Sequence, residues 1–414
     1  MLLSPRKQSG SQKRLIGVLF ACFLLINVVS ASEDNDTWSD SVDICQKTTE
    51  LQFNGTSANQ SVIWQTELGP RLPGSNASSL LRTSLSENLT TLGWNVEFKN
   101  HISHEIELTN VIATWKPQNL SQNETNKLGR IVLSAHYDTR NVANRDSNES
   151  LRNTPILGAN DGASGVAALM ELGRIIPGMN LNNEVMLLFS DAEDQGDNYT
   201  LGAKAWADNL TEDEINRTES FILLDMIGDS DLHLTKISPS TPILTQNMIL
   251  LGQKLGLSNQ VDGCNGQRSD VIWSNQSLPI FDDHVHAFYL GIPSLDIIDI
   301  AYGKNAEPYE GYWHTTQDTA DKVSAESLES VGKIVELGLL TGAWTSIDTP
   351  LEQQEKTSQT NDSEVEQHII VDSEVEHGAD SSILLTILST SVLALCIISL
   401  VILISLVILR RFVD

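Results

Sequence analysis

Short apolar runs and amphipathic stretches alternate along the middle of the chain. Ile131 to Ala135, Val185 to Phe189, Phe221 to Leu224 and Ser294 to Ile298 are brief and mostly apolar. Such runs predict strands buried on both faces. Apolar residues recur at helical spacing over Ala163 to Ile176, Ala203 to Leu210, Met248 to Leu255 and Ala325 to Leu340. The alternation predicts an α/β fold, a three-layer sandwich around a mostly parallel central sheet. No internal duplication divides it.

Both ends carry a different pattern. Arg6, Lys7, Lys13 and Arg14 precede an apolar run from Leu15 to Val29, with Val29 and Ala31 at a small-residue cleavage position. This predicts a secretory signal over residues 1–31; an uncleaved anchor is the alternative. Ile383 to Leu409 is uncharged and almost wholly apolar, and Arg410 and Arg411 follow it. That length predicts one C-terminal transmembrane helix, and the arginines place its far side in the cytoplasm. Residues 32–347 then form an enzyme-sized domain outside the cell membrane, carried by a single-pass anchor in 381–414. Residues 348–380 are polar and acidic, with Asp-Ser-Glu-Val-Glu at 362–366 and again at 372–376. They read as a disordered stalk, because they can bury little apolar surface.

The net charge is −28, from 54 acidic and 26 basic residues in 414. A surface so negative repels nucleic acid and excludes it as a partner. Glycosylation sequons recur from Asn35 to Asn361, and none follows the C-terminal apolar segment, as expected of an exported glycoprotein. Of four cysteines, Cys22 falls in the signal and Cys396 in the apolar segment. Cys45 and Cys264 remain; they either pair in an oxidising compartment or stand as two buried thiols.

The polar residues just beyond the predicted strands carry the chemistry. His136 and Asp138 follow the first strand, Asp191, Glu193 and Asp194 the second, and Asp225 the third. In open α/β sheets ligands bind beyond the carboxyl ends of the strands. Asp161, in Asn160-Asp161-Gly162-Ala163-Ser164-Gly165, precedes a helix, where a helix cap is the plain alternative. His314, in Tyr312-Trp313-His314-Thr315, is by itself an ordinary structural histidine. Together these residues make a nitrogen and oxygen donor set without cysteine, suited to Zn²⁺ in an open site. Asp138 can orient His136 from behind. Glu193 can serve as general base or acid beside a metal.

Several strips in this order resemble the M28 zinc aminopeptidase group: Gly69 to Ser75, His136 to Thr139, Asn160 to Gly165, Asp191 to Asp194, Asp225 and His314-Thr315. The resemblance covers about residues 60–345. It implies that His136, Asp161, Asp194, Asp225 and His314 are metal ligands, with Asp161 able to bridge two zinc ions. It implies Glu193 as general base and Asp138 as the partner of His136. Asp194 stands where many relatives carry Glu.

A narrower similarity, to glutaminyl-peptide cyclotransferases, rests on Asp282-Asp283-His284, Gly291-Ile292-Pro293 and Trp313-His314-Thr315. It implies a single zinc on Asp161, Asp194 and His314. It also implies a hydrogen-bond relay of Asp225, Asp282 and Glu193, and Trp313 as a wall of the substrate pocket. One departure is Asp296, where the animal enzymes of that group have a relay histidine. The expected activity is cyclisation of an amino-terminal glutamine to pyroglutamate. The alternatives are a metallo-aminopeptidase on the same residues and a non-catalytic receptor or scaffold. In either enzymatic case the partners are peptides or proteins with free amino termini.

Overall fold

A computed structural model describes residue 39 and residues 42–118 and 128–345. These belong to a compact unit that ends at Asp348. The expected signal, stalk and C-terminal transmembrane helix lie outside the described residues. Among the described residues no helix is long and apolar enough to cross a membrane.

The chain opens with helices α1 (Ile44–Lys47), α2 (Gly55–Glu67) and α3 (Asn76–Thr91), then a hairpin of β1 (Asn95–Ser103) and β2 (Ile106–Trp115). There follow β3 (Arg130–His136), α4 (Ala163–Ile175), β4 (Glu184–Ser190) and a small ribbon of β5 (Asp194–Gln195) and β6 (Asn198–Tyr199). Next come α5 (Leu201–Asp208), α6 (Glu212–Arg217), β7 (Thr218–Asp225), β8 (Leu234–Ser238) and α7 (Pro242–Lys254). The remainder is β9 (Ile272–Pro279), α8 (His284–Tyr289), β10 (Ser294–Ile298) and α9 (Ala325–Thr341).

The main sheet runs in the order β1-β2-β4-β3-β7-β10. β4, β3, β7 and β10 are parallel, and the β1–β2 hairpin joins β4 antiparallel. Every residue of β3, β4 and β10 is buried, as parallel strands covered on both faces require. Alternate side chains serve two cores. Ile131, Leu133, Val185, Leu187, Ile222 and Leu295 pack with α4, α7 and α9 on one face. Val132, Met186, Leu188, Phe221 and Leu223 pack with Trp206 of α5 and Ala287 of α8 on the other. Each strand and helix predicted within the described residues is present, with ends shifted by a few residues. α7, which starts at Pro242, is the one most extended.

Helix α4 sits unusually close to the sheet. A Cβ at Gly165 would lie 2.1 Å from the Leu224 carbonyl oxygen. Only glycine permits that approach, and it brings the Asp161 turn against the ends of β3 and β7. A disulfide between Cys45 and Cys264, with Cα atoms 5.4 Å apart, ties the start of the fold to the segment after α7. It resolves the open alternatives in favour of pairing.

Candidate metal centre and catalytic cleft

Five chain segments meet at the carboxyl edge of the parallel strands. His136 and Asp225 are the last residues of β3 and β7, and Asp191 to Asp194 leave β4. Sharp turns aim them inward. Ala192, Met226 and His314 have φ of 57°, 45° and 55°, a region that non-glycine residues seldom occupy. Such conformations concentrate where the surrounding fold enforces them, at functional sites.

Asp161 lies at the centre. The helix after it is capped by Gly162 without a side-chain hydrogen bond, so the carboxylate is not spent on capping. Its Oδ1 is 3.2 Å from His136 Nε2 and its Oδ2 is 3.7 Å from His314 Nε2. One carboxylate therefore faces two imidazoles. Asp225 Oδ1 is 3.2 Å from His136 Nε2, and Asp194 Oδ2 is 2.9 Å from His314 Nε2. The last pair is close, but Asp194 Oδ2 makes no hydrogen bond. His136, Asp161 and Asp225 form one group of potential ligand atoms within 4.8 Å, and Asp161, Asp194 and His314 another.

Glu193 is 8 % exposed and Asp225 7 %, against 0–4 % for Asp138, His136, Asp161, Asp194, Asp282 and His314. Glu193 and Asp225 are thus the least buried of these groups. Burial holds the Glu193 carboxyl well above the usual carboxylate range; His136 opposes that shift, and Asp194 and Asp282 add to it. Burial also raises Asp161, against the pull of His136. For Asp194 burial is outweighed by His314 and Arg140, which hold it below the usual range.

A shell of residues fixes these groups. Asp138 is 3.5 Å from His136 Nδ1. Its carboxylate also accepts the backbone N–H groups of Glu193 (2.9 Å) and Asp194 (3.2 Å) and the Gln195 amide (2.8 Å). Asp191 contributes no open carboxylate, because it accepts the N–H groups of Thr109 and Ala192. Arg71, fully buried, donates to the carbonyls of Tyr137, Leu157 and Gly158 and so binds the His136 loop to the Asp161 loop. That contact gives the Gly69 to Ser75 strip a structural role.

Sequence reasoning did not find Arg140, Asp318 or the role of Asp283. Arg140 donates to Asp194 Oδ1 and, at 3.2 Å, to the Tyr199 hydroxyl. Asp318 accepts the backbone N–H groups of Asn160 (2.8 Å) and Asp161 (3.2 Å) and the Tyr302 hydroxyl (2.8 Å). The only signal was spacing: Arg140 lies two residues after Asp138, and Asp318 four after His314.

Behind Glu193 is a second set of buried acids. Asp282 accepts the Asp283 N–H at 2.6 Å, and Asp283 accepts the Ser190 hydroxyl. Burial raises Asp282 well above the usual range, reinforced by Asp225, Asp296 and Asp283; Asp283 is pushed up to about 7. Asp296 is 1 % exposed, without a hydrogen bond to either carboxylate oxygen, and its Oδ2 is 3.6 Å from His284 Nδ1. His284, on α8, thus faces Asp296 with one ring nitrogen while the other meets the Pro239 carbonyl. Trp313 is half-buried, with its ring 3.6 Å from the His314 ring centroid and in stacked orientation. Tyr309 meets it edge-on at 5.2 Å.

The donor set fits a zinc ion. Two imidazole nitrogens and several carboxylate oxygens converge with no thiolate, and buried carboxylates outnumber the cations beside them. A divalent cation offsets such a charge, and nitrogen and oxygen donors suit zinc.

A sequence profile of peptidase family M28 matches residues 110–337, and the chain belongs to that family. An aminopeptidase of Bacillus subtilis is 25% identical over 232 residues, covering 55% of this chain but only 43% of that protein. The glutaminyl-peptide cyclotransferase of Drosophila melanogaster is 25% identical over 292 residues, 65% of this chain and 76% of that one. Two solved structures from Bacteroides thetaiotaomicron share the fold at 27% identity over 70% of this chain and 98% of theirs. A leucine aminopeptidase precursor has a TM-score of 0.60, and a glutaminyl cyclase bound to N-acetylhistamine 0.59.

Proposed function

We propose that the chain is a zinc-dependent enzyme acting on the amino-terminal end of peptides, and that its reaction is cyclisation of an amino-terminal glutamine. The observation that carries the metal is Asp161 turning one oxygen to His136 and the other to His314. His136, Asp161 and Asp225 would hold one ion, and Asp161, Asp194 and His314 another. Zinc bound there would polarise a substrate carbonyl.

Glu193 takes a proton from the substrate α-amine. The amine nitrogen then bonds to the γ-carbonyl carbon. Glu193 delivers the proton to the departing amide nitrogen, the carbon–nitrogen bond breaks, and ammonia leaves. The buried acids Asp282, Asp283 and Asp296, which burial holds above the usual carboxylate range, support this reading as an acidic set beside the base. Trp313 stacks beside His314 as a wall for the glutamine side chain.

The aminopeptidase reading uses the same residues, with Glu193 deprotonating a water that attacks the first peptide carbonyl. Relatives of both kinds keep it open. Peptides beginning with Gln and with Leu, assayed by mass spectrometry, separate the two. Ammonia loss from the Gln peptide alone supports cyclisation, whereas release of a free first residue supports hydrolysis. Neither product, in a chain without bound zinc, would leave the scaffold reading.

We place the site outside the cell membrane, tethered through 383–409. The Cys45–Cys264 disulfide supports an oxidising compartment. Protease protection of the tail, but not the domain, in intact cells would test the orientation.

A further inference from the structure

Arg145 differs from the other described arginines. Arg130, Arg140, Arg152, Arg174, Arg217 and Arg268 pair with carboxylates. Arg71 donates to three carbonyls, and Arg82 to Ser78 and Tyr137. Arg145 is exposed, and among the described residues no carboxylate lies within 4.0 Å of its guanidinium. The neighbouring Asp146 is occupied: it accepts the Thr316 N–H (3.0 Å), the Thr316 hydroxyl (2.6 Å) and the Asn148 N–H (2.8 Å).

The position of Arg145 is fixed at the cleft. Its backbone N–H donates to the His314 carbonyl at 3.2 Å. Its guanidinium carbon is 5.3 Å from the centroid of Trp313, the ring that stacks on His314. An arginine over an aromatic face keeps its edge N–H groups free for a carboxylate, which they can hold through two bonds. Among the described arginines it alone has neither a carboxylate nor a hydrogen-bonded partner for its guanidinium, and it stands beside Trp313 and His314.

We propose that Arg145 receives a substrate carboxylate, so that the enzyme prefers peptides with a negative charge shortly behind the amino terminus. By way of Trp313 the guanidinium lies within about 9 Å of the His314 ring, and an extended peptide advances roughly 3.3–3.6 Å per residue, which puts that charge on the second or third residue. The carboxylate belongs to an acidic side chain or to the C-terminus of a very short peptide. The inference rests on the amino-terminal reading but not on which of the two reactions occurs.

Binding to the full-length Glu193→Gln chain tests it without turnover. The probes are Gln-Ala-Glu-Ala-amide, Gln-Glu-Ala-Ala-amide and Gln-Ala-Gln-Ala-amide, with Gln-Ala-Ala as free acid and as amide. A glutamyl peptide should bind about fivefold tighter than its neutral counterpart, the upper end for an accessible ion pair, and the ratio should shrink with salt. Discrimination by the free acid over its amide identifies C-terminal capture. Adding Arg145→Gln should bring these ratios near one, and Arg145→Glu should invert them; a residue that merely packs on Trp313 would not sort peptides by charge. Equal binding of charged and neutral probes, or a preference that survives Arg145→Glu, overturns the proposal. Equal binding of an amino-acetylated glutamyl peptide, with the charge preference intact, would contradict the amino-terminal reading instead.

Discussion

The carboxylate of Asp138 accepts the backbone N–H of Glu193 at 2.9 Å, while its Oδ1 stands 3.5 Å from His136 Nδ1. One buried acid thus holds the backbone of the proposed base and faces the imidazole of a proposed ligand. Asp138→Asn removes the charge and leaves only one oxygen for these donors. We expect a loss of about 1–3 kcal/mol in stability, the cost of unsatisfied buried groups, and a drop of about 10–100-fold in kcat/KM. Thermal unfolding and steady-state kinetics of the variant give both values. An active, equally stable variant would show that the geometry does not depend on Asp138.

Glu193→Gln keeps the shape but cannot accept the proton. Turnover should fall by about 10²–10⁴-fold, the usual share of general-base catalysis. Zinc content should be unchanged, since Glu193 belongs to neither ligand group. Near-normal turnover in this variant would exclude Glu193 as the base.

Gly162 has φ of 101°, and a Cβ there would meet the Asp138 carbonyl oxygen at 2.7 Å and His136 Cε1 at 3.1 Å. Gly69 has φ of 86° but nothing within 4 Å. Gly69→Ala should therefore cost only backbone strain, about 1–3 kcal/mol. Gly162→Ala should cost more and weaken zinc binding by displacing the His136 loop. Chemical denaturation and chelator competition on both variants make the comparison, and equal behaviour would contradict it.

Much of this was legible in the sequence, and the exceptions have physical causes. β3, β4 and β10 announce themselves because every residue is buried. The β1–β2 hairpin does not. β1 is exposed or half-buried throughout, and the turn is made by His104 and Glu105, with φ of 49° and 64°. Asn-Gly or Asp-Gly is the usual signal there, and its absence hid the hairpin. α2 and α3 were missed because their sequences are dominated by polar residues. Site residues that follow strands directly could be placed from sequence. Arg140 and Asp318 could not, since their partners, Asp194 and the Asn160-Asp161 backbone, are brought to them only by folding.

Asp299 sets an expected pH dependence. Burial pushes it up to about 8, despite the N–H groups of His233 and Ala301 that it accepts. A carboxyl raised on folding favours the native state while protonated. Its contribution is complete below the unfolded value of 3.8 and is lost as pH rises towards about 8. Between pH 5 and 8 the wild-type chain should lose on the order of 3–4 kcal/mol from this group, and Asp299→Asn should flatten that slope. Unfolding midpoints across pH test it; an unaltered slope in the variant would show that Asp299 is ionised in the fold.

Zinc content bears most directly on the central claim, that His136, Asp161, Asp194, Asp225 and His314 share a metal. Elemental analysis of the purified, dialysed chain and of Asp161→Asn supplies it. We expect one or two zinc ions per chain in the wild type and a loss from both positions in the variant, because Asp161 belongs to both ligand groups. A wild-type chain that neither retains nor takes up zinc, or an Asp161→Asn chain that keeps the full complement, would contradict the account.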